Sequence, residues 1–128
     1  MGQSNCHPQP GDLITIYRTG YQHWALYVGN EYVIHLTGVE AQSGSSCSKS
    51  ISAKVAMVKK ELLNDVAGNN KWRVNNKYDR KRTPLPVEEI IQRAEQCIDR
   101  EVPYDVLTRN CEHFVTELRY GEATSDQV

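Results

Sequence analysis

Four cysteines are the candidate nucleophiles of this sequence: Cys6, Cys47, Cys97 and Cys111. A cysteine attacks as its thiolate, so a catalytic cysteine needs surroundings that lower its pKa. Asn110 is a good helix N-cap and predicts a helix that begins there, with Cys111 in its first turn. In that position the unpaired N–H groups and the positive end of the helix dipole favour a thiolate, and they could also hold an oxyanion. Cys111 is therefore the preferred candidate.

The other three cysteines lack such a setting. Cys97 is predicted in the middle of a helix, on its apolar face, as a core residue. Cys6 lies in a polar tail and Cys47 in a run of small polar residues. Cys111 could itself be a buried thiol, because three apolar residues share its helix face: Phe114, Val115 and Leu118. The spacing alone leaves catalysis and simple burial both open for Cys111.

A cysteine nucleophile needs a base, and the sequence has four histidines. His113 is two residues from Cys111, which is about 200° of rotation along a helix, so it points away. His7 lies in the N-terminal tail. The remaining two, His23 and His35, fall in two β-rich runs that flank a turn and predict a hairpin.

The turn decides how these two histidines are related. A two-residue loop at positions 29 and 30 pairs His23 with Leu36 and puts the histidines on opposite faces. A three-residue loop over 29–31 pairs Ala25 with His35 and makes the histidines diagonal neighbours, about 7–8 Å apart at the backbone. The second register is preferred, because it also gathers four apolar side chains on the other face: Trp24, Leu26, Ile34 and Leu36.

The preferred register predicts a triad. Cys111 is the nucleophile, His23 is its base, and His35 fixes the tautomer and ring angle of His23. The competing interpretation of His35 is a satisfied residue at the edge of a strand.

Composition excludes several classes of protein. Fifteen basic and sixteen acidic residues give a net charge of −1, which gives no general reason to expect nucleic acid. The first ten residues are polar and do not form a secretory leader, so a reducing compartment with free thiols is expected. No apolar run approaches the roughly 20 residues that a membrane span needs. The cysteines form no C-x-x-C pair, and neither a metal nor a cofactor is expected.

The sequence predicts an α+β fold, with helices packed on a small antiparallel sheet. Three β-rich runs predict strands: 13–17, 23–28 and 32–36. Residues 55–63 could be strand or helix, with strand favoured at the start, and residues 41–50 are predicted as a mobile loop. Apolar residues at helical spacing predict a helix after Pro86 that includes Cys97 and Ile98. The second helix is expected to end before Gly121, a plausible C′ glycine.

Six segments together resemble the vertebrate phospholipase A and acyltransferase family, which is related to lecithin:retinol acyltransferase and to the circularly permuted NlpC-type papain-like fold. These segments are PGDLITIYR (10–18), GYQHWALYVG (20–29), YVIHL (32–36), VNNKYD (74–79), PLPVEEIIQRAEQ (84–96) and RNCEHFVTELRYG (109–121). The NCEHFV block together with HWALY is highly specific, and the resemblance covers nearly all of the chain after residue 9.

The resemblance implies the same three residues in the same roles, and the permutation explains why the histidines precede the cysteine. It further associates Tyr21 with the oxyanion hole and places Arg18 near the site. The implied activity is that of a phospholipase A and acyltransferase acting on glycerophospholipids through a cysteine thioester. Its products would be fatty acid with lysophospholipid, or N-acyl phosphatidylethanolamine or O-acyl lysolipid by transfer.

Two segments depart from the family pattern. The usual Gly-Asp-Gly turn is Gly29-Asn30-Glu31 here, so one permissive glycine is missing, although Asn30 can adopt a left-handed conformation. The usual Ala-Pro after the second histidine is Thr37-Gly38, which predicts a different rim of the cleft.

The basic stretch 71–82 is a candidate contact with the anionic headgroups of a membrane surface. It has six basic residues and one acidic residue. The candidate contact residues are Trp72, Arg73, Arg80, Lys81 and Arg82. A solvated charged loop explains the pattern equally well.

The organisation expected from all this is a flexible tail over 1–9 and one catalytic domain over 10–128. Many family members continue into a hydrophobic C-terminal anchor, whereas this chain stops at SDQV (125–128). We expect a monomeric, cytoplasmic, membrane-associated enzyme whose full-length form carries that anchor. The alternatives are a cysteine peptidase or isopeptidase of the same fold, and a non-catalytic interaction module in growth signalling.

Overall fold

The computed structural model describes residues 7–40, 54–103 and 107–121. Within them, six antiparallel strands form one sheet in the order β5-β1-β2-β3-β4-β6. The strands are β1 (Leu13–Arg18), β2 (Tyr21–Gly29), β3 (Tyr32–Glu40), β4 (Lys54–Leu62), β5 (Trp72–Val74) and β6 (Glu101–Pro103). The helices are α1 (Leu63–Ala67), α2 (Val87–Gln96) and α3 (Leu107–Tyr120), with a short 3-10 helix at Lys77–Arg80. The predicted α+β class is confirmed.

The hairpin of β2 and β3 has the preferred register. Ala25 pairs with His35, and the ladder continues towards the turn. The alternation of a strand then places His23, two residues before Ala25, on the same face as His35. The four apolar side chains expected on the other face are buried together in the core.

The turn of this hairpin reaches that register in an unexpected way. Gly29 pairs with Tyr32, so the loop has two residues, Asn30 and Glu31, and a bulge lies between Tyr27 and Gly29. Both loop residues have positive φ, 55° and 73°, as in the tight turns that match the twist of a hairpin. The three-residue loop was therefore wrong, whereas the register was right, because the bulge adds the missing residue to β2.

Two apolar clusters cover opposite faces of the sheet. The first lies between the sheet and helices α2 and α3, and it includes Leu26, Ile90 and Val115. The second is covered by α1 and includes Ala25 and Tyr27, which alternate with Leu26 along β2. The helix that carries Cys111 therefore packs against the first face.

Both long helices differ in their bounds from the prediction. Helix α3 begins at Leu107 rather than near Asn110, and it ends at Tyr120 before Gly121, whose φ of 89° confirms the predicted C′ glycine. Helix α2 ends at Gln96, so Cys97 is half-buried just past the helix, against the first cluster, and not in its middle. The strand favoured at the start of 55–63 is confirmed, whereas the loop 41–50 lies outside the described residues.

A buried arginine fixes the basic segment to the end of α3. The Arg119 guanidinium donates through Nε and Nη2 to the Asp79 carboxylate at 3.2 and 2.8 Å, and through Nη1 to the Gly11 carbonyl at 2.7 Å. The Tyr120 hydroxyl donates to the same carboxylate at 2.6 Å. Burial acts to raise the pKa of Asp79, but these hydrogen bonds outweigh it and hold the pKa below its usual value.

Candidate active site

Two buried histidine side chains from adjacent strands are in contact. Nε2 of His23, on β2, lies 2.8 Å from Nδ1 of His35, on β3. The rings meet edge to face, with centroids 5.0 Å apart and planes at 83°. Both residues are buried, at 6% and 3% exposure. The predicted diagonal neighbours are therefore in direct hydrogen-bond contact.

The histidine pair continues to a carboxylate on the next strand. Nε2 of His35 lies 3.4 Å from Oε2 of Glu61, on β4. Because an ionised carboxylate only accepts hydrogen bonds, this contact favours the tautomer in which His35 carries its proton on Nε2 and accepts at Nδ1. The proton between the rings then belongs to Nε2 of His23. This assignment leaves Nδ1 of His23 unprotonated, which is the state that a general base requires.

Cys111 lies against β2 at Trp24, the residue after His23. Its side chain is 1% exposed, and the backbone N–H of Trp24, the residue after His23, donates to its sulfur. Burial raises the pKa of the Cys111 thiol, with the Glu112 carboxylate adding to the increase, and outweighs the backbone N–H groups that lower it. The lowered pKa predicted from a helix-start position is therefore wrong. Cys111 is the fifth residue of α3, beyond its unpaired N–H groups, in an apolar surrounding.

The histidines are also held in their neutral forms. Burial lowers the pKa of His23 to about 3, helped by the neighbouring His35 and by the Arg18 guanidinium. Burial lowers the pKa of His35 to about 4, helped by Arg18 and Lys59. At neutral pH the contact between His35 and Glu61 is thus a hydrogen bond from a neutral ring and not an ion pair. The resting site holds a neutral thiol beside a neutral imidazole pair.

Three supporting residues were expected near this centre, Tyr21 and Arg18 from the resemblance and Asn110 from its predicted N-cap position. Arg18 is close enough to affect both histidines, and its Nη2 donates to the Val66 carbonyl at 3.1 Å. Tyr21 pairs with Arg18 across the β1–β2 hairpin and is half exposed, two residues before His23. Asn110 lies inside the first turn of α3 and does not cap it, and its side chain is outside the described part of the structure.

The rejected histidines lie away from the pair. His113 is exposed, whereas Cys111, two residues before it, is buried, as the helix rotation predicts. His7 is exposed near the start of the described chain.

The sequence analysis missed four polar residues around the site. Glu61 contacts His35, as described above. Glu112, which follows the candidate nucleophile, accepts a hydrogen bond of 2.7 Å from the Tyr78 hydroxyl, and Lys77 Nζ lies 3.8 Å from its carboxylate. Cross-strand pairing of β3 with β4 would have revealed Glu61, but these strands are separated along the chain by residues 41–53. No local pattern indicated Tyr78 or Lys77 as neighbours of the site.

The candidate membrane residues divide between two places. Trp72 is on β5 at the edge of the sheet, where its ring is partly buried against the second cluster. Arg73 beside it is exposed. Arg80 and Lys81 are exposed at the end of the 3-10 helix, and Arg82 after them is partly buried. The exposed positive charge is thus next to the segment that contacts Glu112, and the membrane contact stays a prediction.

No helix in the described ranges is both long and apolar enough to span a bilayer.

Comparison with known proteins gives consistent matches along the chain. The family model described as lecithin retinol acyltransferase matches residues 6–124. Phospholipase A and acyltransferase 1 of Rattus norvegicus is 56% identical over 123 residues, which are 95% of this chain and 74% of that protein. Phospholipase A and acyltransferase 3 of Homo sapiens is 55% identical over 94% of this chain and 76% of its own length. Phospholipase A and acyltransferase 2 of Homo sapiens is 49% identical over the whole chain and 80% of its own length.

Proposed function

Because the chain belongs to the lecithin retinol acyltransferase family and is an enzyme of the phospholipase A and acyltransferase type, we propose that Cys111 takes a fatty acyl group from a glycerophospholipid as a thioester. His23 is the base in this proposal, and His35 orients it. The observation that carries the proposal is the contact of 2.8 Å between the two buried rings, with the Cys111 thiol packed beside the strand of His23.

The first half-reaction begins from the neutral pair. As the sulfur of Cys111 attacks the ester carbonyl carbon, its proton moves to Nδ1 of His23 and the carbonyl oxygen becomes an oxyanion. The C–O bond to the glycerol oxygen then breaks, and His23 returns the proton to that oxygen. A lysophospholipid leaves and the acyl group stays on Cys111. Because both groups start neutral, the proton transfer accompanies the attack and does not precede it.

The second half-reaction decides the product. Water activated by His23 releases a fatty acid, the amine of phosphatidylethanolamine gives an N-acyl lipid, and the hydroxyl of a lysolipid gives an O-acyl lipid. In each case the acceptor loses a proton to His23 and the Cys111 thiol is regenerated. The same residues therefore serve both hydrolysis and transfer.

Two further roles belong to this proposal. Tyr21, half exposed beside Arg18 on the β1–β2 hairpin, is the candidate to support the oxyanion. Arg18 lies near both histidines and disfavours their protonation in the resting enzyme, because its charge lowers both pKa values.

A membrane-associated, cytoplasmic location fits a lipid substrate, and we include it in the proposal. The supporting observation is the exposure of Arg80 and Lys81 next to the site. Replacing both by Glu should weaken binding to vesicles that contain phosphatidylserine. The matched control reverses two exposed charges elsewhere, Lys60→Glu with Arg100→Glu. Equal binding by the two double variants would contradict this part of the proposal.

The acyl-enzyme itself is the decisive test. Intact mass spectrometry after brief exposure to phosphatidylcholine should show one added acyl chain on the wild-type protein. The adduct should be missing in Cys111→Ala and should not form in His23→Ala, while both variants unfold at the wild-type temperature. An adduct that persists in Cys111→Ala, or a wild-type protein that gives neither adduct nor lysophospholipid, would overturn the proposal.

A further inference from the structure

We propose that Glu61 is a positioning residue for the histidine pair, acting on His23 through His35. The inference rests on the proposed function, because it assigns Glu61 a part in activating the same base. Glu61 would extend the predicted triad by one hydrogen bond, and His23, His35 and Glu61 form a row across three adjacent strands.

The sheet places Glu61 where such a row requires it. On β4, Lys59 pairs directly with His35, and Glu61 pairs with Val33. Glu61 is thus a diagonal neighbour of His35 and shares its face of the sheet. On the other side, His23 is the diagonal neighbour of His35 from β2. The two contacts occupy the two ring nitrogens of His35, at 2.8 Å for Nδ1 and 3.4 Å for Nε2.

The contact fixes which nitrogen of each ring carries a proton. The Glu61 carboxylate accepts from Nε2–H of His35, so Nδ1 of His35 must accept from Nε2–H of His23. Nδ1 of His23 then has a free lone pair for the thiol proton. Without the carboxylate, His35 could carry its proton on Nδ1, donate it to Nε2 of His23, and so place the remaining proton of His23 on Nδ1. That tautomer cannot act as the base.

Glu61 also places a carboxylate beside His35. Arg18 on β1 and Lys59 on β4 both disfavour a positive charge on the histidines. When His23 accepts the thiol proton it becomes an imidazolium, hydrogen-bonded to His35, and a nearby carboxylate stabilises that charge. Because the Glu61 side chain is 39% exposed, solvent weakens the effect relative to a fully buried carboxylate.

A surface role is the competing explanation, since Glu61 is partly exposed and lies on the same strand as three lysines. A surface role predicts that removing the carboxylate leaves the turnover number and the histidine tautomers unchanged. The positioning role predicts a change in both. The turnover number and the histidine tautomers therefore distinguish the two explanations, even if both variants are equally stable.

The experiment compares Glu61→Gln with the matched variant Glu95→Gln, which removes an exposed carboxylate bonded to Lys60 at 3.0 Å. Substrate is phosphatidylcholine in mixed detergent micelles, and thermal unfolding checks that each variant is folded. We expect Glu61→Gln to lower kcat by roughly three- to tenfold with KM within twofold, because only the transition state carries the imidazolium. Glu95→Gln should stay within twofold, and Glu61→Asp should recover part of the loss.

The tautomers are read independently of activity, by ¹⁵N NMR of protein labelled at histidine. In the wild type, Nε2 of both His23 and His35 should be protonated, and Glu61→Gln should increase the Nδ1-protonated population. If Glu61→Gln keeps the wild-type kcat and the wild-type tautomers, the positioning role is wrong. That result would leave the acyl-enzyme proposal intact, because the latter is tested by the adduct of the wild-type protein and its loss in Cys111→Ala, neither of which involves Glu61.

Discussion

The rate at which Cys111 is alkylated should rise steeply with pH, because the resting enzyme holds a neutral thiol and a neutral imidazole pair. Burial raises the pKa of the Cys111 thiol above its ordinary value of 9.0, and the pKa of His23 is about 3. A thiolate–imidazolium pair, as in many cysteine enzymes, would need a lowered pKa for the cysteine and a raised pKa for the histidine. The pH dependence of alkylation therefore tests the electrostatics of the site directly.

The magnitude follows from the position of that pKa. Well below the pKa, each pH unit changes the thiolate fraction about tenfold, and a thiol with pKa 9.0 is about 1% ionised at pH 7. The alkylation rate should therefore increase roughly 100-fold between pH 6 and pH 8, without a plateau. Limited access to a side chain that is 1% exposed lowers the rate at every pH but leaves this slope unchanged.

The assay uses iodoacetamide and a protein in which Cys111 is the single thiol, made by Cys6→Ser, Cys47→Ser and Cys97→Ser. Adding Cys111→Ala to that protein gives the background. Adding His23→Ala instead should leave the slope unchanged, because His23 carries no charge in the resting state. A pH-independent plateau between pH 5 and pH 8 that disappears with His23→Ala would refute the neutral pair and indicate a thiolate–imidazolium pair.

Three further predictions concern the framework of the site. Asp79→Ala removes the carboxylate that binds the buried Arg119, and we expect it to lower the free energy of unfolding by about 2 kcal/mol, less than for a fully buried pair. Because the folded-state pKa of Asp79 lies below its ordinary value, this stabilisation is present at neutral pH and is lost as pH falls through the folded-state pKa. Urea unfolding of the wild type and the variant at pH 7 and pH 3 measures both effects. An equal stability difference between the two proteins at the two pH values would contradict the pH dependence. Glu31→Gly removes the strain of a side chain at a φ of 73° and should raise the free energy of unfolding by about 0.5–1 kcal/mol after the entropy of glycine is counted. A lower midpoint in urea would show that the backbone is not strained at this position. Tyr78→Phe removes the hydrogen bond to Glu112 and should cost about 1 kcal/mol in the same assay, and an unchanged midpoint would mean that water replaces that bond.

Sequence patterns determined the features that depend on neighbours along the chain. The alternation of apolar residues in β2 and β3 favoured a shared face for His23 and His35, because a register shifted by one residue would have placed Trp24 and Ile34 on opposite faces of the sheet. The position of Gly121 ended α3, because a residue after a helix commonly needs a positive φ. The resemblance to the acyltransferase family then favoured a catalytic Cys111 over a merely buried thiol.

The tertiary structure decided the features that depend on segments distant in sequence. Glu61 reaches His35 only through the pairing of β3 with β4, which no local pattern specifies across residues 41–53. The pKa of Cys111 was predicted from a helix terminus, but packing against β2 removed the thiol from water and reversed the sign of the shift. Residue types and their periodicity thus identified the reacting groups, whereas burial and cross-strand contacts set their protonation, because desolvation depends on everything that surrounds a side chain.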